Sequence, residues 1–90
     1  MIVAYHVRLT GRVQGVFFRA WTQDEANTVR VAGWIRNCAD GSVEAHLEGG
    51  EADIKELIDL MREGPPGAEV DNVDVESVDP EGLDRFEIRR

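Results

Sequence analysis

The stretch Gly33–Gly49, "GWIRNCADGSVEAHLEG", decides the fold. Its centre is Asp40-Gly41, and apolar residues alternate on both sides. An Asp-Gly pair between two such runs is a strong hairpin signal, because the turn needs positive φ and glycine supplies it at no steric cost. Upstream, Val31, Gly33 and Ile35 share one face, so a strand is predicted over Val31–Asn37. Downstream, Val43, Ala45 and Leu47 alternate with Glu44, His46 and Glu48, the period-2 pattern of a half-buried strand. That strand should end at Gly49-Gly50, with the two glutamates and His46 on a solvent-facing side.

Helical patterns flank this hairpin. After it, "EADIKELIDLMREG" carries Ile54, Leu57, Ile58 and Met61 at i, i+3, i+4 and i+7. Acidic residues crowd its start, where the helix dipole favours them, and Gly64-Pro65-Pro66-Gly67 stops it. Before the hairpin, Phe18, Thr22, Ala26 and Val29 recur at helical spacing and predict a helix over Phe18–Arg30. Further out, Ile2–Thr10 alternates as a strand. Val73 and Val75, alternating with Asp74 and Glu76, predict another, and "RFEIRR" offers a short fifth beyond Pro80 and Gly82. The order is β-α-β-β-α-β. It predicts an α+β, ferredoxin-like two-layer sandwich, with both helices on one face of an antiparallel sheet and one domain over residues 1–90.

Composition narrows the function classes. No apolar run approaches the ~18 residues of a membrane span, and the N-terminus lacks the charged start and apolar block of a signal peptide. Cys38 is the only cysteine, which excludes an internal disulfide and a cysteine-based zinc site. Both features point to the cytoplasm, and a closed two-layer domain is most simply a monomer. Acidic residues number 18 against 10 basic ones, for a net charge of -8. A phosphate backbone wants a basic face, so nucleic acid is not an expected partner. Of the basic residues only Lys55 is a lysine. Abundant hydrated carboxylates with few lysines resemble the proteins of halophiles; a merely acidic cytosolic protein is the plainer alternative.

The stretch "GRVQGVFFRAW", Gly11–Trp21, leaves the first strand and enters the first helix. Gly11 and Gly15 open backbone angles that other residues avoid, so several N–H groups can converge on one point. The helix N-terminus adds unpaired N–H groups and partial positive charge, and Arg19 adds a planar fork able to grip two phosphate oxygens. The loop reads as a cradle for a dianion of phosphate size, although a glycine loop can also be a plain connection. Phe17 and Phe18 are expected chiefly as core anchors, one of them able to wall the pocket. His6 and His46 stand alone on strands, Cys38 has no partner histidine in view, and carboxylate pairs such as Asp24-Glu25 fit surface charge. No His, Cys or carboxylate cluster has metal-ligand spacing, so neither metal nor cofactor is expected.

Two motifs carry a resemblance. "GRVQGVFFRAWTQDEA" followed by "GWIRNCADGSVEAHLEG" is similar to the acylphosphatase family, whose pattern is G-x-V-Q-G-V-x-F-R, a helix, G-W-V-x-N, a short turn and D-G-S/T-V. Gly11, Val13, Gln14, Gly15, Val16, Phe18 and Arg19 match the first motif; Gly33, Trp34, Asn37, Asp40, Gly41, Ser42 and Val43 match the second. The resemblance covers the chain in length and element order. It implies hydrolysis of a small-molecule acyl phosphate to a carboxylate and inorganic phosphate. Arg19 would hold the phosphoryl group, amides from about Gln14 through Gly15, Val16 and Phe17 to Phe18 would surround its oxygens, and Asn37 would position the water. The chain departs from the family at Ile35 (usually Val), at Arg30 (commonly a Gly that ends the first helix) and at His46 (more usually apolar). Arg30 puts the helix end in question, since a left-handed non-glycine residue there costs stability. One rival is a non-catalytic ferredoxin-like module that binds an anionic metabolite through the same loop. An RNA-binding sheet is disfavoured, because the predicted open face carries His6, Arg8, Glu44, His46, Glu48, Asp74 and Glu76 rather than aromatics ringed by basic residues.

Overall fold

A computed structural model describes all 90 residues. The chain runs β1 (Val3–Arg12), α1 (Phe18–Val29), β2 (Ala32–Asn37), β3 (Val43–Gly49), α2 (Glu51–Glu63), β4 (Glu69–Val78) and β5 (Phe86–Ile88). The strands form one sheet in the order β4-β1-β3-β2-β5. The predicted hairpin joins β2 to β3, with Asn37 opposite Val43 and Ile35 opposite Ala45. Both helices pack on one side of the sheet. Val7, Leu9, Ile35, Ala45 and Leu47 point toward them and meet Phe18, Ala26, Ile54, Leu57 and Met61 in a single apolar cluster. Truncating any of the large members to alanine should cost about 2–5 kcal/mol.

Gly33 leaves no room for a side chain in the central hairpin motif. Its φ is 146°, and a Cβ there would lie 1.8 Å from the His46 carbonyl oxygen of the neighbouring strand. At the other end of the sheet a bulge between Thr10 and Gly11 carries β1 past its expected end at Thr10, to Arg12.

Three expectations change. The sheet is not wholly antiparallel: β5 runs parallel to β2, pairing Gly33 with Phe86 and Ile35 with Ile88. The cause is topological. β4 and β5 occupy opposite edges, so residues 79–85 cross the sheet at the end where β4 finishes and β2 begins. A strand starting there can only run alongside β2.

The second change is that Glu44, His46 and Glu48 are buried rather than facing solvent; His46 is 4% exposed and Glu48 2%. The crossing segment covers Glu48 and His46, whereas Glu44 is enclosed by His6, Arg8 and Arg36. Glu48 accepts hydrogen bonds from the amides of Glu81, Gly82 and Leu83, and its other contact is His46 Nε2 at 2.6 Å. Glu44 pairs with His6 Nε2 at 2.9 Å and accepts from Arg36 Nε. Trp34 stacks on the His46 ring, and the Arg89 guanidinium lies over Trp34 at 4.9 Å. Burial pushes both carboxyls up, but their hydrogen bonds outweigh it, so both sit below the ordinary range. His6 is likewise half-buried and paired, not a free solvated side chain.

The third concerns Arg30. It takes the left-handed conformation (φ 64°, ψ 44°) and caps α1 by donating its N–H to the Ala26 carbonyl. The regular helix therefore ends at Val29, one residue short of the expected boundary, and the non-glycine residue bears the conformational cost.

Candidate active site

The connection from β1 to α1 is built on two left-handed residues. Gly15 has φ 73°, and Phe17 has φ 61° and ψ 25°. Glycine adopts that region freely, whereas for phenylalanine it costs roughly 1–2 kcal/mol. Strain of this kind persists only where the surroundings hold it and clusters at ligand clamps. The reversal at Phe17 sends its own ring outward, 85% exposed, and drives Phe18 into the core at 2%. Phe18 is thus the anchor and Phe17 the wall.

The amides of Gly15, Val16 and Phe17 donate to no backbone acceptor. α1 has no side-chain cap and no acidic residue in its first turn. Its unpaired N–H groups and partial positive charge therefore remain available at the loop. Arg19, in the first turn, is partly exposed and forms no ion pair with any carboxylate, although 18 acidic residues surround it in the chain.

These groups open on a cleft of about 400 Å³ lined by Gly15, Phe17, Phe18, Arg19 and Asn37. Asn37 reaches it from the end of β2. Its Oδ1 is buried and accepts no hydrogen bond from the protein, an uncommon state for a buried polar atom. The cleft thus combines an unpaired cation, free amide donors and a buried free acceptor. That set can hold a tetrahedral dianion and orient a water against it.

Two predicted loop residues turn elsewhere. Val16 packs against the apolar cluster. The Gln14 side chain lies outside the cleft lining and donates from Nε2 to the carbonyls of Cys38, at 2.9 Å, and Ser42, at 2.8 Å. Both acceptors belong to the β2–β3 turn, which Asp40 stiffens by accepting from the amide and hydroxyl of Ser42 at 2.9 and 2.6 Å. Those bonds, with a smaller contribution from Arg8, hold the Asp40 carboxyl below its usual range. Cys38 is a free, partly buried thiol.

Sequence reading missed Val13, Ala20 and Ile88 as lining residues. Ala20 follows Arg19 on the same helical turn and was reachable from the helix assignment. Ile88 was not, because it depends on the parallel pairing of β5.

The acylphosphatase family's sequence model matches residues 5–88. An acylphosphatase of Haloarcula marismortui is 49% identical over 84 residues, covering 93% of this chain and 92% of the relative. One from Gloeobacter violaceus is 50% identical over 88 residues, covering 98% and 95%. Among solved structures, the crystal structure of acylphosphatase from Bacillus subtilis superposes with a TM-score of 0.95 at 36% identity over the whole of both chains. With the motifs, the strand order and the cleft all in the same register, the chain belongs to the acylphosphatase family.

Proposed function

We propose that this chain hydrolyses the carboxyl–phosphate bond of small acyl phosphates. Water attacks phosphorus, the bond from phosphorus to the acyl oxygen breaks, the carboxylate departs with that electron pair, and both hydrogens of the water remain on the phosphate product, which releases one to solvent as its own ionisation dictates. The leaving carboxylate needs no protonation, so the protein's task is positioning and charge stabilisation rather than strong base catalysis. Arg19 and the amides from Gln14 to Phe18 hold the phosphoryl oxygens. Asn37, neutral and able both to accept and to donate, orients the water.

The observation that carries this reading is that Asn37, whose buried Oδ1 has no partner in the protein, lines the same cleft as the unpaired Arg19. A module that only binds an anionic metabolite has use for the cation and the amides but none for a buried free acceptor beside them. We further propose that residues 1–90 act as one domain and as a monomer in the cytoplasm, with no nucleic-acid partner. The single apolar cluster, the lone thiol and the net charge of -8 support that view. No helix of the chain is long and apolar enough to cross a membrane.

The test is phosphate release from benzoyl phosphate in concentrated KCl without added metal, comparing wild type with Asn37→Ala. Wild type should turn over. The variant should bind inorganic phosphate normally and lose roughly 10²–10³ in kcat, the scale for one positioned polar group. Folded wild type that binds phosphate but releases none above the uncatalysed rate would favour the binding module.

A further inference from the structure

We infer that Gln14 is a positioning residue, a clamp that fixes the phosphate cradle relative to Asn37, and not a side-chain contact to substrate. The inference rests on the proposed activity for its kinetic arm only.

The geometry places Gln14 between the two halves of the site. Its backbone lies in the cradle loop, directly before Gly15. Its carboxamide leaves the cleft and crosses to the β2–β3 turn, where Nε2 donates to two carbonyls at 2.9 and 2.8 Å. Those carbonyls already close the turn: Ser42 O accepts from the Cys38 amide at 2.8 Å, and Cys38 O from the Gly41 amide at 3.1 Å. The carboxamide therefore binds the two oxygens that define the turn's shape. Asn37 is the residue before Cys38 and pairs with Val43, the residue after Ser42. Whatever fixes Cys38 and Ser42 fixes the strand ends from which Asn37 projects.

No other side-chain hydrogen bond links the cradle loop to this turn. The turn's remaining ties, from Arg8 Nη1 to Ser42 Oγ at 2.8 Å and to Asp40 Oδ2 at 3.4 Å, run to β1 and not to the loop. The loop itself carries left-handed Phe17 and amides without backbone acceptors, so it has little of its own to hold its distance from Asn37. A glutamine suits the task because its primary amide offers two N–H donors on one nitrogen, matched here to two acceptors. Glutamate offers none, and leucine has the shape without the donors.

The consequence for the reaction is specific. Phosphate binding depends on the loop amides and Arg19, not on Asn37. Attack depends on the loop and Asn37 being in register, and a misplacement of about 1 Å can cost on the order of 10²-fold in rate.

The test uses the full chain as wild type, Gln14→Leu, Asn37→Ala and the double variant. Readouts are kcat with benzoyl phosphate, the inhibition constant of inorganic phosphate, and the side-chain amide signals of Asn37 by NMR. Gln14→Leu should lower kcat about 10- to 100-fold and leave the phosphate constant within about threefold. The double variant should be no slower than Asn37→Ala alone, because a clamp has nothing left to position. The Asn37 signals should be sharp and distinct in wild type and averaged in Gln14→Leu. A phosphate constant that weakens in step with kcat would make Gln14 a substrate contact and overturn the inference. So would losses that add fully in the double variant, or Asn37 signals unchanged in Gln14→Leu. If wild type shows no turnover, the NMR arm still decides: averaged signals would uphold the clamp while the hydrolase reading falls.

Discussion

Removing the Arg19 guanidinium tests the cradle most directly. Arg19 makes no ion pair, so its loss breaks no structural bond, and any effect belongs to ligand binding. A guanidinium that grips two oxygens contributes two charge-assisted hydrogen bonds, about 1.5–3 kcal/mol each. The sum is about 3–6 kcal/mol, and partial exposure places the effect at the lower end through screening. With a tenfold change for every ~1.4 kcal/mol, Arg19→Ala should weaken phosphate binding by roughly 10²–10³-fold. Arg19→Lys keeps the charge as a point and loses the fork, so it should lie between, about 10- to 100-fold weaker than wild type.

The assay is calorimetric titration of inorganic phosphate at fixed ionic strength, paired with a thermal melt. Melting temperatures should agree within a few degrees, the range for a surface substitution that breaks no partner. Phosphate affinity in Arg19→Ala within threefold of wild type would refute the reasoning and make the amides alone the anion site. Full recovery in Arg19→Lys would refute only the bidentate element.

Arg30→Gly should raise the melting temperature by several degrees, because it relieves a left-handed non-glycine cap worth about 1 kcal/mol; an unchanged melt would show that Arg30 carries no strain. Glu48→Gln leaves at least one buried donor among the 81–83 amides and His46 without an acceptor, at about 1–3 kcal/mol. The melt should fall by roughly 5–20 °C with kcat unchanged, since Glu48 sits at the end of β3 away from the cleft, and an unaltered melt would sink the account of the covered face. Glu44 and Glu48 ionise below the ordinary 4.5 when folded. Their contribution is therefore present above that value and lost as pH falls through the folded values, so a melt series should be flat from about pH 7 to 5 and drop below about 4.5. Raising KCl from about 0.1 to 1 M shortens the Debye length from about 10 to 3 Å and should raise the melting temperature of a chain at -8; full stability without salt would dismiss adaptation to brine.

Where local chemistry controlled the outcome, the sequence was readable. Asp40-Gly41 needed nothing beyond its flanks to declare a hairpin, and Ile54, Leu57, Ile58 and Met61 declared a helix face. The loop was readable too, since Gly15 falls between strand and helix patterns and Arg19 in the first turn of the helix. Most of what the sequence hid, though not the Arg30 cap or the burial of Glu44, depended on residues 79–85. A glutamate alternating with apolar residues ordinarily means a solvated face, and nothing in "VEAHLEG" reveals that a distant segment will cover it. The parallel pairing of β5 and the approach of Ile88 to the cleft follow from the same crossing. The direction of the Gln14 side chain was hidden for another reason. Its place in the loop motif was plain, but a side chain pointing away from the ligand looks the same in sequence as one pointing toward it.

Of the three buried side-chain polar atoms without a partner, Thr22 Oγ1, Trp34 Nε1 and Asn37 Oδ1, only the last belongs to a residue that lines the cleft. There it is joined by the unpaired amides of Gly15 and Phe17, a strained phenylalanine and an unpaired arginine. On the opposite face of the sheet, charges that would be costly to bury are almost fully paired: Glu44 with His6 and Arg36, and Glu48 with His46 and three amides. Donors, a cation and an acceptor left unpartnered together are the mark of a site whose partners come from outside the chain. A phosphate dianion supplies acceptors for the amides and the guanidinium, and a water supplies a donor for Asn37. Ligand should therefore stabilise the cleft end selectively, and the clamp at Gln14 is what lets that end stay open without drifting out of register when no ligand is bound.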